Sequence, residues 1–239
     1  MDICIGNDHR DVYREALQCL LNGEIEFLVG GAFAVYHYTG KWRDTHDIDI
    51  FTMPKYVPQA VQALNAVGFK DIGEQAIGDS VWIYHGQKGD MVVDVIWQFA
   101  NGIAVVDQTW LDTAESGEFL GLQVMFPSVE NLAWSKIFTL NRHRCDWPDV
   151  MNIILSSCNR FDWAKLLGMM KEHWLLLAGL VDVFDWQHPA SFTCIPDWVR
   201  QELASRRLEY KPMSDQPSRA QLLDPWIHTR EEDICKSEQ

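Results

Sequence analysis

The chain has 239 residues, of which 47% are hydrophobic and 23% charged, so it can bury a sizeable core and is not a disordered segment. Its formal net charge of −14 excludes the overall basic footprint of a general nucleic-acid binder, leaving only a local patch for such contacts. Its most apolar stretch, residues 174–184, is too short to span a bilayer and is interrupted by Asp182.

Apolar residues at Val12, Leu17, Leu20 and Leu21 predict an amphipathic helix over 8–21. The run Ile25 to Val29 reads as a strand, the glycine pair Gly30-Gly31 as a turn, and 32–38 as the start of a helix. Strand, glycine turn and helix suit an anion, because glycine lets backbone approach closely and the first helical N–H groups point outward. Asp47-Ile48-Asp49-Ile50 alternates as a strand does, so both carboxylates face the same side. A helix follows over 54–67, ended by Gly68.

Residues 69–72, 81–85 and 91–97 read as strands separated by glycine turns at 73–78 and 86–89, the last two strands able to pair as a hairpin. The third of these carries Asp94 between Val93 and Val95, where a carboxylate needs a partner such as a metal. Another strand is expected over 119–126, then Ser128 as the N-cap of a helix to Leu140. Further helices are expected over 148–157, 162–173, 174–185 and 196–207. A strand-rich half followed by a helical half predicts an α+β fold, a mixed sheet flanked by helices and then a helical region. The expected divisions are a core domain over 1–126, a helical domain over 127–210 and an arm over 211–239.

The glycine pair, the acid-apolar-acid strand and the acid of a later strand resemble the nucleotidyltransferase superfamily, with its polymerase-β-like fold. Within it the chain is most similar to compact bacterial members, the AbiEii-type toxins and antibiotic-modifying enzymes. The resemblance implies transfer of a nucleoside monophosphate from a nucleoside triphosphate to an acceptor hydroxyl, with release of pyrophosphate. Gly30 and Gly31 would receive the nucleotide. Asp47, Asp49 and Asp94 would be both catalytic residues and ligands of Mg²⁺, two ions being expected and Mn²⁺ a substitute. Asp94 could also accept the proton of the acceptor.

Lys136, followed by Arg142-His-Arg-Cys-Asp-Trp-Pro-Asp149, resembles a lysine and a basic-acidic pattern found after the core in AbiEii-like relatives. By that resemblance Lys136 contacts the triphosphate, while Asp146 or Asp149 braces the helix. Arg43 either holds a phosphate or pairs with Asp44 or a site acid, and Thr45 and His46 read as structural. His143 and Cys145 lack the further ligands that structural zinc requires. Trp163, Trp174, Trp186 and Trp198 read as packing, whereas Tyr36, Trp42 and Trp97 lie near enough in sequence to stack on a base.

The six cysteines, with no Cys-x-x-Cys pair and no secretory signal ahead of them, are expected as free thiols in a cytoplasmic protein. The acceptors used by the resembled relatives include aminoglycosides, lincosamides, protein side chains and tRNA ends, and a protein partner fits the toxin–antitoxin members. The competing reading is a catalytically silent module for nucleotide sensing or partner binding. The two differ in whether all three acids stand at one site.

Overall fold

The computed structural model describes residues 7–73, 82–99, 102–141 and 144–211. The first helix, α1 (Asn7–Asn22), leads into β1 (Phe27–Val29), α2 (Gly31–Thr39) and β2 (Asp47–Thr52). A 3₁₀ turn at Pro54–Tyr56 opens α3 (Val57–Ala66), and Gly68 leaves it at φ +93°, a left-handed value that favours glycine. Then come β3 (Lys70–Asp71), β4 (Ile83–Lys88), β5 (Met91–Ile96), α4 (Gln108–Asp112), β6 (Glu115–Phe119) and β7 (Leu122–Phe126). The described residues that follow carry the helices α5 (Val129–Ile137), α6 (Trp147–Ser156), α7 (Trp163–Met170), α8 (Trp174–Gln187) and α9 (Asp197–Glu209).

Five strands form one mixed sheet in the order β1-β2-β5-β4-β3, and β6 pairs with β7 as a separate hairpin. Only β2 and β5 run parallel; β1 with β2, β5 with β4 and β4 with β3 are antiparallel. The α+β expectation holds.

Alternation along the central strands divides the two faces. Ile48 and Ile50 of β2, with Val93 and Val95 of β5, enter the main core with Leu17 and Leu20 of α1 and Leu64 of α3. Phe51 and Ile96 point the other way and pack with Leu28, Ile83 and Trp110 in a second cluster. By the period of two, Asp47, Asp49 and Asp94 share this second face, nearer the beginnings of their strands than Phe51 and Ile96. The main cluster continues through Leu132, Ile153, Leu180 and Leu203, so it joins the sheet half to the helical half.

Several boundaries differ from expectation. The β4–β5 hairpin forms, but its strands run to Lys88 and from Met91, so the turn is Gly89-Asp90 and Gly86 is a strand residue. The expected strand over 119–126 is instead the end of one hairpin strand and the whole of the next, turning at Leu120-Gly121 with both φ values positive. An unbroken apolar run conceals that turn in the sequence, while Arg14 Nη1 donates to the Leu120 carbonyl at 2.5 Å. Ser128 caps α5 as expected, its Oγ accepting from the Asn131 N–H.

Two of the expected free thiols are corrected: Cys158 and Cys194 form a disulfide, with Cα atoms 4.5 Å apart. They are 36 residues apart in sequence and meet because the 3₁₀ segment Pro189–Cys194 folds back near the end of α6. Cys19 and Cys145 are free, and Cys4 and Cys235 lie outside the described residues. Trp163 is buried as expected, but Trp186 and Trp198 are exposed rather than packed. Of the expected turn over 73–78 and arm over 211–239, residues 74–78 and 212–239 lie outside the described residues. Among the described residues no helix is long and apolar enough to cross a membrane.

Candidate active site

The parallel register of β2 and β5 sets Asp49 directly beside Asp94, with Asp47 one step earlier on the same face. Across the other edge of β5, His85 of β4 is the antiparallel partner of Asp94. His85, Asp94 and Asp49 therefore form a row across three strands. The Asp94 carboxylate is largely buried and its Oδ1 lies 2.7 Å from His85 Nδ1, a hydrogen bond in which the Nδ1–H tautomer is the donor to a carboxylate oxygen. Thr45 Oγ1 donates to Asp47 Oδ1.

Asp49 is the acid in the middle. Burial, then the Asp47 and Asp94 carboxylates, push it up to about 7, against a smaller opposing pull from Lys136 and Arg144. Three acids on one face thus hold more negative charge than the surrounding cations offset. All of these donors are carboxylate oxygens, the set that hard divalent cations such as Mg²⁺ take. Among the described residues, no three or more His, Cys, Asp or Glu side chains are gathered closely enough to hold a metal ion on their own.

The glycine pair sits against these acids. The Gly30 N–H donates to the Asp49 carbonyl at 2.8 Å, tying the end of β1 to β2. A β-carbon on Gly30 would lie 2.4 Å from the Phe51 ring, and one on Gly31 would lie 1.5 Å from Asp49 Oδ2. Gly31 also has φ +54°, so both its conformation and its surroundings require glycine. It is the first residue of α2, whose first-turn N–H groups lack helical acceptors and carry the positive end of the helix dipole.

Lys136 is buried on α5, with Nζ 2.8 Å from Asp146 Oδ2 and 2.9 Å from Asp149 Oδ2. Arg144 grips Asp146 with two hydrogen bonds of 2.8 Å. Burial alone would raise the Asp146 carboxyl, but the Arg144 bonds and the Lys136 charge outweigh it and bring it down to about 2. Arg43 is exposed and its Nε lies 3.4 Å from Asp149 Oδ2, so its ionic partner here is neither Asp44 nor one of the three site acids. Asp146 and Asp149 thus hold the Lys136 ammonium between them. Arg142 and His143 lie outside the described residues.

Trp42 packs edge-on against Tyr36 and at a tilt against Phe33, as a core aromatic does. Trp97 also lies against the main core. His85 was not singled out in the sequence: a lone histidine in an apolar strand gives no signal until strand pairing puts it beside Asp94.

Residues 9–164 match the sequence pattern of a family described as nucleotidyl transferase of unknown function (DUF2204). The chain belongs to this family. Nucleotidyl transfer is accordingly the activity of the enzyme. Its fold is shared with the antibiotic-resistance factor ANT(2″)-Ia, at 15% identity and a TM-score of 0.52, over 74% of this chain and 96% of that one. It is shared also with an antigenic nucleotidyltransferase-like protein from Paracoccidioides brasiliensis, at 16% identity and a TM-score of 0.51, over 79% and 94% of the two chains. No curated protein matches the sequence. The nucleotidyltransferase assignment places the matched region across the whole sheet, the β6–β7 hairpin, α5 and α6.

Proposed function

We propose that this nucleotidyltransferase binds a nucleoside triphosphate with Mg²⁺ and passes its nucleoside monophosphate to an acceptor hydroxyl, releasing pyrophosphate. The supporting observation is the row Asp47, Asp49 and Asp94 on one sheet face, with Asp49 pushed up to about 7 by burial and by its two neighbours. Bound at these oxygens, Mg²⁺ or Mn²⁺ would supply positive charge to offset the negative charge on the triphosphate and on the entering and leaving oxygens. With few protein ligands, phosphate oxygens and water would complete the coordination.

The remaining steps belong to the chain. Asp47 and Asp49 hold the cation side of the triphosphate against the sheet. The first-turn amides of α2, beside the Asp49 carboxylate for which Gly31 makes room, cradle phosphate oxygens. Asp94 takes the proton of the acceptor hydroxyl as the oxygen attacks the α-phosphorus. Lys136 and Arg144 lend positive potential to the acid row, a reading supported by their downward pull on Asp49. Arg43, exposed at the rim of the same ion-pair network, is available to an incoming phosphate. The net charge of −14 favours a cationic hydroxyl-bearing acceptor, whether a small molecule or a protein, over extended nucleic acid. The shared face of Asp47, Asp49 and Asp94 supports the catalytic reading over a silent module, with triphosphate oxygens needed beside them to complete an ion site.

Calorimetric titration of the four nucleoside triphosphates, with and without Mg²⁺, into the wild type and an Asp47→Asn/Asp49→Asn variant tests this. The expected result is Mg²⁺-dependent binding of at least one triphosphate that the variant loses. Equal binding by the two proteins would overturn the assignment of the acids.

A further inference from the structure

Among the described residues each outer acid of the row has a hydrogen-bonding neighbour on one of its oxygens. Thr45 Oγ1 donates to Oδ1 of Asp47, and His85 Nδ1 lies 2.7 Å from Oδ1 of Asp94. Asp49 has its carboxylate seated over Gly31, where the missing β-carbon makes room. A carboxylate that accepts a hydrogen bond on one oxygen loses rotational freedom and presents its other oxygen in a fixed direction. His85 and Thr45 come from different elements, β4 and the segment before β2, so the row is braced from both ends.

We propose that Thr45 and His85 are positioning residues that fix which oxygen of Asp47 and of Asp94 faces the cation of the bound triphosphate. The inference rests on the acid row acting as a divalent-cation and triphosphate site. Neither residue touches the reacting atoms. Each acts through its carboxylate, as the outer partners of metal ligands do in general, where loss of such a partner costs about 10- to 100-fold in affinity or activity.

The test uses the full chain and two readouts that do not depend on turnover. The first is Mn²⁺ binding, followed by electron paramagnetic resonance, in the presence of the α,β-methylene analogue of ATP, or of whichever triphosphate the wild type binds. Thr45→Val and His85→Ala are each expected to weaken Mn²⁺ binding by about 10-fold or more. Thr45→Ser keeps the hydroxyl, and His85→Asn places an amide N–H near the position of Nδ1, so both are expected to stay within about 3-fold of wild type, a smaller loss than that of a missing partner. The second readout is the ¹⁵N spectrum of the His85 imidazole in the metal-free protein, expected to report a hydrogen-bonded Nδ1–H that disappears in Asp94→Ala, which removes the acceptor oxygen.

If wild type binds Mn²⁺, Asp49→Asn does not, and Thr45→Val and His85→Ala bind as wild type does, positioning is overturned while the site stands. If wild type and Asp49→Asn bind Mn²⁺ alike, or neither binds, the site itself is wrong and the inference falls with it. Equal losses in the conservative and the truncating variants would reduce both residues to packing and overturn the proposal.

Discussion

Asp49 Oδ2 occupies the space that a β-carbon on residue 31 would need, 1.5 Å from the ideal β-carbon position. The middle acid and the second glycine are therefore a matched pair: the carboxylate reaches the start of α2 only because residue 31 has no side chain. Gly31→Ala should displace Asp49 and abolish Mg²⁺-dependent triphosphate binding in calorimetry, with the helical circular dichroism retained. Gly40→Ala is the control, since Gly40 has a similar φ of +65° and nothing near its missing β-carbon. Both variants carry a left-handed backbone penalty of about 1–2 kcal/mol, and only the first should lose the nucleotide.

Asp49 also makes the metal-free protein sensitive to pH. Its folded pKa of about 7 lies above the ordinary carboxylate value, so its contribution to stability is full below about pH 4 and lost as pH rises through 7. Asp49→Asn should raise the stability of the metal-free protein at pH 8 by on the order of 1–3 kcal/mol, with little change at pH 4. Denaturant titrations of both proteins across that range check it, and parallel pH profiles would refute it. Divalent-cation affinity should rise over the same window, because binding displaces a proton.

The Lys136 network predicts the opposite slope in acid. Asp146, held down to about 2 by Arg144 and Lys136 against its burial, contributes stability that is present above about pH 4 and lost as pH falls through 2. Asp146→Asn should cost about 2 kcal/mol at pH 7 and almost nothing at pH 2. Lys136→Met, which leaves Asp146 and Asp149 buried or half-buried with one cation fewer, should cost about 3 kcal/mol at pH 7. Thermal melts at the two pH values separate these outcomes.

The Cys158–Cys194 link closes a loop of 36 residues across α7, α8 and the 3₁₀ segment. By chain entropy alone it should stabilise the oxidised protein by about 3–4 kcal/mol. Cys158→Ser/Cys194→Ser should lower Tm under oxidising conditions and match the wild type once a reductant is present. Alkylation and mass measurement of the unreduced wild type should leave both cysteines unmodified.

Local signals in the sequence were enough to single out the residues at the centre of the candidate site. Gly30-Gly31, Asp47-x-Asp49 and the acid inside 91–97 each obey a short-range rule: a turn residue, a period of two, or a polar group in an apolar run. Ser128 as a cap and the predominance of helix after it were legible for the same reason. The Leu120-Gly121 turn was not, because its apolar residues continue the pattern of the strands on either side. Nor was α4, a helix of 5 residues whose signal, Asp107 capping the Thr109 N–H, is too brief to establish a period.

What the sequence determined by itself was the kind of chemistry, since residue type and local spacing decide which groups can bind phosphate and cations. Tertiary structure decided the partnerships. Strand register put His85 beside Asp94 and Asp94 beside Asp49. The packing of α5 against α6 buried Lys136 between Asp146 and Asp149 and turned Arg43 toward Asp149. The return of the chain at residues 189–194 brought two distant thiols together. Those pairings depend on contacts between residues far apart in the chain, which no local pattern of side chains encodes.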